Sequence, residues 1–433
     1  MSVTSTAGYL ESLIQHPSRL AAGPSSWLNT LRSEAVDRLS VLRVPTRRDE
    51  EWRFTDISPL IQQPLQPLGA ATALSITDVA QFFLTEATNR LVFVDGVFAP
   101  TLSNFDDSGL IVSNLANALS THSAVIAPHL GQHAQFRDNV FVALNTAFLQ
   151  DGAVVVVPKE TSITEPVQLL FVATQKSSAS YPRCLLVAET GSAVTLVEDY
   201  VSLQSDAYFT NAVTEIVVAD NARVNHIRVQ RDSINAFHIA DCAVSLSRSS
   251  CYHSVSVVLG GRISRYNFNL RQTAEGSECS VDGLTLISGN QLADTHTRID
   301  HARPQGVSRQ LHKCIVGGSA HAVFNGKVMV HEGAMQTDSA QSNRNLLLTS
   351  KAKVDAKPQL EIFANDVKCT HGATVGQLDH EEVFYLRSRG LSDLAARNLL
   401  TYAFGAEIID RIAIASLRNR LEQTVLEQTA LPL

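Results

Sequence analysis

Cys369 and His371 stand two residues apart in the run Asp366-Val-Lys-Cys369-Thr-His371. In an extended chain that spacing turns both side chains to one face. The result is a two-ligand corner. A thiolate is a soft donor and a neutral imidazole a borderline one, so the pair suits zinc, iron or the carriage of sulfur. One Cys-x-His pair falls short of a four-ligand site, and a single thiol is as readily a core residue. Spacing alone leaves both readings open. Gly372 and Gly376 punctuate the chain just beyond, and Asp379, with Glu382 three residues later, reads as a helix N-cap with its capping-box partner. The pair therefore sits where strands give way to helices.

The elements that must position it follow from hydrophobic period. From Asp151 to about Thr374 apolar residues alternate, as at Val167/Leu169/Phe171, Val255/Val257/Leu259 and Leu360/Ile362, with turns such as Asp220-Asn221 and Gly317-Gly318 between them. Many short strands with no long helix leave a sandwich, a barrel or a β-solenoid, and the uneven turn spacing does not establish a repeat. Before this stretch, residues 7–42 read as helical, ending at Val44-Pro45. RRDEEWRFTDISPL follows, with Trp52 and Phe54 as aromatic anchors of a loop. A mixed region comes next, with a helix near 79–88, a hairpin turning at Asp95-Gly96 and a helix at 140–149. Asn139, Asn145 and His133 there are explained as polar helix and loop positions. After Asp379 the period returns to 3.6, with helices over 380–388, then past Ser392, then through Leu417, Leu421 and Val425. Arg387, Arg389, Arg397 and Arg411 are placed on the outer face of that helical region. The expected divisions are 1–150, 151–375 and 376–433.

GNQLADTHTRIDHARPQGVSRQLHKC gathers further polar chemistry, including Arg303, and period two puts Asp294, His296, Arg298 and Asp300 on one strand face. Carboxylates beside imidazoles suit acid–base work. The simpler reading, preferred here, is a solvated face or the rim of a partner contact. The six cysteines are scattered without C-x-x-C spacing, which fits buried, reduced thiols. A net charge of -7 without a basic run argues against nucleic acid. No apolar run of membrane length and no signal core are present, so the expected compartment is cytoplasmic. Absence of a phosphate-binding loop predicts no ATP hydrolysis by this chain alone, and no dinucleotide or nucleophile-elbow motif is present.

With its flanks, LLLTSKAKVDAKPQLEIFANDVKCTHGATVGQLD (346–379) and FYLRSRGL (384–391) resemble the SufB/SufD family of iron-sulfur cluster assembly scaffolds. Within it the SufD branch is the nearer, because of the EEWRFTD segment, the chain length and the lack of Cys-rich core motifs. The resemblance implies a mainly β fold: a right-handed parallel β-helix core flanked by an N-terminal α/β region and a C-terminal helical domain. It implies a heterodimer with SufB, two copies of the ATPase SufC, and a homodimer in isolation. This chain is then a non-catalytic scaffold that binds no nucleotide, holding a nascent iron-sulfur cluster or iron transiently with SufB. By the same resemblance His371 is the better ligand candidate, and Cys369 is a second ligand or a structural thiol. The expected partner-binding residues are Phe384, Tyr385, Arg387, Arg389 and Leu391. Asn365 and Thr370 depart from the family's usual DDVKCSHGATVG without touching the proposed ligands. Two other readings stand beside this one: a structural adaptor that ligates nothing, and a β-helix carbohydrate-active enzyme, which the low aromatic content (6%) disfavours.

Overall fold

The alternating stretch folds into two facing sheets of parallel strands, wound as a β-solenoid of about eight turns, in a computed structural model that describes residues 25–66, 72–105 and 109–430. The first sheet runs from Asn89–Val94 through Val167–Ala173, Ala193–Ser202, Arg223–Arg231, Cys251–Val258, Glu278–Ile287, Val307–Val316 and Asp338–Leu347 to Lys368–Gly376. The second runs from Ala153–Val157 through Arg183–Ala188, Phe209–Val218, Phe237–Leu246, Ile263–Gln272, Leu292–His301 and His321–Val330 to Lys353–Ile362. Each coil gives one strand to each sheet. The sheet therefore begins inside the stretch read as the N-terminal region.

Register shows why no fixed period was visible in the sequence. Cys251 lies opposite Glu278, 27 residues on, whereas Val307 lies opposite Asp338, 31 residues on. One corner does repeat strictly: Asn221, Ser249, Gly276, Gln305, Gln336 and Asp366 all take left-handed backbone, with φ between 52° and 68°. At the first five, the N–H donates to a carbonyl of the following coil at 2.8–3.2 Å, from Asn221 to Arg248 through Gln336 to Asp366. The left-handed turn aims each of these N–H groups at the next coil and so satisfies backbone groups that a corner otherwise leaves unpaired.

Both outer faces carry helices, which is why so many strand residues are buried on both sides. Helix α1 (Ser26–Leu39) and helix α2 (Val140–Ala147) lie against the second sheet, where Ala35, Leu39, Phe141 and Leu144 meet Phe209, Val213, Phe237 and Ile239. Asn139 caps α2 by accepting from Phe141 N–H and Val142 N–H, and donates to Asp241 at 2.9 Å. The beginning of the expected 7–42 helix lies outside the described residues. The helix expected at 79–88 is only the turn Ile76–Val79 with 80–82 wound more tightly. It stops because Leu84 N–H bonds Gln168 Oε1 at 3.0 Å, drawing the chain down to the sheet.

Three C-terminal helices follow the solenoid: α3 (His380–Ser388), α4 (Asp393–Ile409) and α5 (Ala415–Ala430). Asp379 accepts from Glu381 N–H at 2.8 Å and Ser392 from Ala395 N–H at 3.1 Å, so both expected starts are capped. Leu417, Leu421 and Val425, at steps of four, are fully buried beside Val255, Val257, Leu284 and Leu286 of the first sheet. At about 1.5–3 kcal/mol for each such side chain, this seam alone accounts for a large share of the docking.

Candidate functional site

Lys368–Gly376 is the last strand of the first sheet, and it pairs on one side only, with Asp338–Leu347. Cys369 lies opposite Ser339 and His371 opposite Gln341, both of which are buried inside the solenoid. The Cys-x-His pair thus continues the inward-facing rows of the coil beneath it, on a coil above which no further strand is stacked among the described residues. Cys369 is half-buried and packs, as Leu360, Ala364 and Val367 do, against the buried Val328, Val330 and Ala334. Burial raises its thiol pKa, so a metal or sulfur ligand there must displace a proton. His371 is exposed.

The two ends of the solenoid differ. At the beginning, the antiparallel strands Val97–Phe98 and Ile111–Asn114 close both sheets. At the other end, Lys368–Gly376 and Lys353–Ile362 both present unpaired edges, and Ile362 (42%), Phe363 (65%) and Val375 (53%) are exposed. An apolar, open strand edge is a template for another chain. Among the described residues no three His, Cys, Asp or Glu side chains are grouped to hold a metal. The edge offers two donors, and any site with more needs donors from elsewhere.

Beneath the edge lies a polar interior that sequence reasoning missed. Gln310 and Gln341 stack in the His371 row, with His312 and Asn343 in the next, all buried. His312 and Cys314, singled out in the sequence beside charged neighbours, both point inside. Burial alone depresses the His312 imidazole to about 3, so it is neutral at physiological pH. Polar residues at alternating positions look like a solvated face, and only the coil stacked above reveals them as interior. All six cysteines are free, and all but Cys369 are buried.

The expected partner residues lie on α3 and the turn after it. Phe384 (71% exposed) and Tyr385 (56%) project from α3, with Arg389 5.2 Å over the Tyr385 ring, Arg387 against Asp393 at 3.5 Å, and Leu391 half-buried. Arg411, expected on the outer face, is exposed and also donates to the buried Asp282 at 2.7 Å, which pins the helices to the sheet.

Asp294, His296, Arg298 and Asp300 do share one outer face, but only part of it meets solvent. Residues 47–57 cross it as a strap. Glu50 pairs with Lys357 at 2.6 Å, Glu51 with His296 at 3.2 Å, and Thr55 donates to Asp294. Arg265 donates to Glu51 O at 2.7 Å, bonds Asp294 at 2.6 Å and lies 3.8 Å over the Trp52 ring. The solvated reading fails for Asp294 and His296, whose side chains are 1% and 13% exposed. Their cover also removes an open acidic face of the kind a sugar-cleaving site would use.

His296 stands between Asp294 (2.9 Å) and Glu51, with Arg265 as the facing cation. Burial opposes its charge, but the two carboxylates outweigh that and the pKa is raised. Its contribution to fastening the strap is therefore complete below the ordinary imidazole value of about 6.5 and is lost as pH rises through the elevated folded value. In a Trp27→Phe background, Trp52 emission is expected to shift to the red over that rise. The transition should vanish in His296→Gln, and its persistence there would show that another group operates the strap.

Residues 171–404 match the family model described as SUF system FeS cluster assembly, SufBD core domain, and residues 3–169 match that of the SufBD protein N-terminal region. The chain is 43% identical over 407 residues to an iron-sulfur cluster assembly SufBD family protein of Synechocystis sp., covering 91% of this chain and 89% of that one. It is 34% identical over 384 residues to the iron-sulfur cluster assembly protein SufD of Escherichia coli, covering 87% and 88%. To the protein of the same name from Bacillus subtilis it is 27% identical over 415 residues, covering 92% and 93%. No helix among the described residues is long and apolar enough to cross a membrane.

Proposed function

This chain belongs to the SufBD family of the SUF iron-sulfur cluster assembly system, and from that premise we propose that it is the SufD subunit of a cytoplasmic SufB–SufC–SufD scaffold on which nascent clusters are built. The observation that carries this reading is the uncapped terminal coil with Cys369 and His371 on its edge strand. A partner of the same solenoid fold, SufB, supplies what that edge lacks: strands to pair with it and the remaining ligands. The cluster is cargo, held during assembly and passed on. His371, exposed and unencumbered by core packing, is the ligand from this side. Cys369 packs against the buried Val328, Val330 and Ala334, which supports a structural thiol that holds the strand, with ligation as its second role.

SufC is assigned to the surface of α3 and the turn after it, which carries Phe384, Tyr385, Arg387, Arg389 and Leu391, since aromatics and arginines are enriched among the anchors of protein contacts. Removing the whole helical region is a poor test, because Leu417, Leu421 and Val425 would leave an apolar face on the first sheet uncovered. Phe384→Asp with Tyr385→Asp is the better one. The purified chain alone should hydrolyse no ATP. With SufB and SufC it should form a complex that hydrolyses ATP and gains iron and acid-labile sulfide, and the double variant should lose SufC while keeping SufB. ATP hydrolysis by the isolated chain, or a double variant that retains SufC normally, would reject the assignment.

A further inference from the structure

The strap does not lie flat on the terminal coil. A cleft of about 520 Å³ separates Arg47, Arg48, Arg53 and Phe54 from Val323, Asn325, Asp355, Ala356 and Lys357. Its ionised groups can be paired off one by one. Asp49 is held by Arg43 at 2.8 Å, Glu50 by Lys357, Glu51 by His296, Asp355 by His321 at 2.7 Å, and Asp294 by Arg265 and His296. Asp56, next to the cleft, accepts from the Ser58 N–H and hydroxyl. That leaves Arg47, Arg48 and Arg53. All three are exposed and none forms an ion pair among the described residues. Arg47 bonds the carbonyl of Arg53 and helps, after Ser58, to lower the Asp56 pKa without forming an ion pair with it, and Arg53 lies over Phe54 at 5.7 Å. Three exposed guanidinium groups without an ion pair among the described residues thus surround a cleft whose carboxylates are all engaged, on a chain whose net charge is -7. Such a cation cluster against the overall charge is a local field for an anionic partner.

Place decides which anion. Asp355, Ala356 and Lys357 belong to Lys353–Ile362, the last strand of the second sheet, whose outer edge is unpaired among the described residues, so the cleft opens at the rim of the open end. We propose that this cleft receives an acidic segment of the protein that docks on the terminal coil, with Arg47, Arg48 and Arg53 steering and fixing its approach. The inference rests on the reading that a partner chain completes that coil. It adds the partner's chemistry at this point, a run of aspartate or glutamate, and gives the EEWRFTD segment a role beyond anchoring. Arginine suits that role because its fork matches carboxylates in pairs.

The test measures association of the full-length chain with purified SufB–SufC by stopped flow across a salt series. Reversal of Arg47, Arg48 and Arg53 to Glu should lower the on-rate about tenfold or more at low salt, with a difference that closes near 1 M salt and an off-rate changed far less. The triple Gln variant should fall between, guarding against misfolding of the reversed form. A matched reversal of the exposed Lys159, Lys176 and Arg223 should give a smaller change. On-rates and salt slopes equal to wild type in both strap variants would overturn the proposal while leaving the partner reading intact. A wild-type chain that forms no complex at all would overturn both. Binding of pyrophosphate, lost in the Gln variant with no change in partner on-rate, would replace the acidic segment by a small anion and so reject it.

Discussion

Replacing His371 by alanine is expected to leave the protein folded and the SufB–SufC–SufD complex assembled, while iron and acid-labile sulfide bound per complex fall at least about tenfold. The first half follows from exposure: the imidazole lies on an unpaired edge, fills no core space, and its removal opens no cavity. The second half follows from ligand counting. No third donor is grouped with the pair among the described residues, so a cluster site on this edge would depend on donors from two chains and have little redundancy. Loss of outer-shell groups alone typically costs roughly 10- to 100-fold in metal affinity, and loss of a ligand should cost no less. Cys369→Ser separates the two roles left for the thiol. A structural thiol packed beside Val328 and Val330 should show its loss mainly as reduced stability with modest cluster loss, whereas a ligand should match His371→Ala. The measurement is iron and sulfide in anaerobically purified complex, normalised to recovered subunits. A His371→Ala complex with wild-type yield would end the ligand role and leave the adaptor reading.

How much of this was legible in the residues depends on the range of the interaction. Period two marked the strands, period 3.6 marked α3 to α5, and Leu417, Leu421 and Val425 announced their buried face, because each signal is local. The coil repeat was hidden because its length drifts between successive turns. Its corners are also marked by Asn221, Ser249, Gln305, Gln336 and Asp366 in left-handed backbone, where a glycine would have been a recognisable sign. The Cys-x-His spacing was legible as two side chains on one strand face. The openness of that strand was not, since being last in a stack is a property of the whole chain. The strap shows the same limit more sharply. Glu51 meets His296 across 245 residues, and nothing near either tells that they touch. The polar interior misled for a further reason. Glu198, fully buried, is held ionised near a pKa of about 2 despite burial, through His226 (3.1 Å), Tyr200 (2.8 Å) and Thr214 (2.8 Å). Each of those residues, taken by itself on a strand, resembles a solvent-facing position.

The stability of the join between the N-terminal region and the solenoid is expected to rest on Arg183. Both Arg183 and Glu215 are fully buried, 2.7 Å apart, on adjacent strands of the second sheet. Glu215 also accepts from the N–H groups of Gly131 (2.7 Å), His133 (2.8 Å) and Ala134 (2.9 Å), while Arg183 donates to Asn145 and Thr146 of α2 at 3.2 Å each. Burial opposes the Glu215 charge, but Arg183 and those backbone donors prevail and its pKa is lowered. Arg183→Met strands a carboxylate in the interior, and breaking a buried pair from one side costs about 3–5 kcal/mol. Glu215→Leu should cost a comparable amount, because it orphans three N–H groups along with the guanidinium. Joined in one chain, Arg183→Met and Glu215→Leu should cost clearly less than the sum, since the unpaired charge is gone and only the orphaned N–H groups remain. The sign of the pH dependence follows from the lowered pKa. The contribution is present above the ordinary carboxylate value of about 4.3 and is lost as pH falls through the folded value. The gap in urea midpoint between wild type and the double variant at pH 7 should therefore narrow only as pH is taken below about 4.3 towards the folded value. Strictly additive single losses at pH 7 would mean that the two residues stabilise the join independently, and the ion pair would no longer explain it.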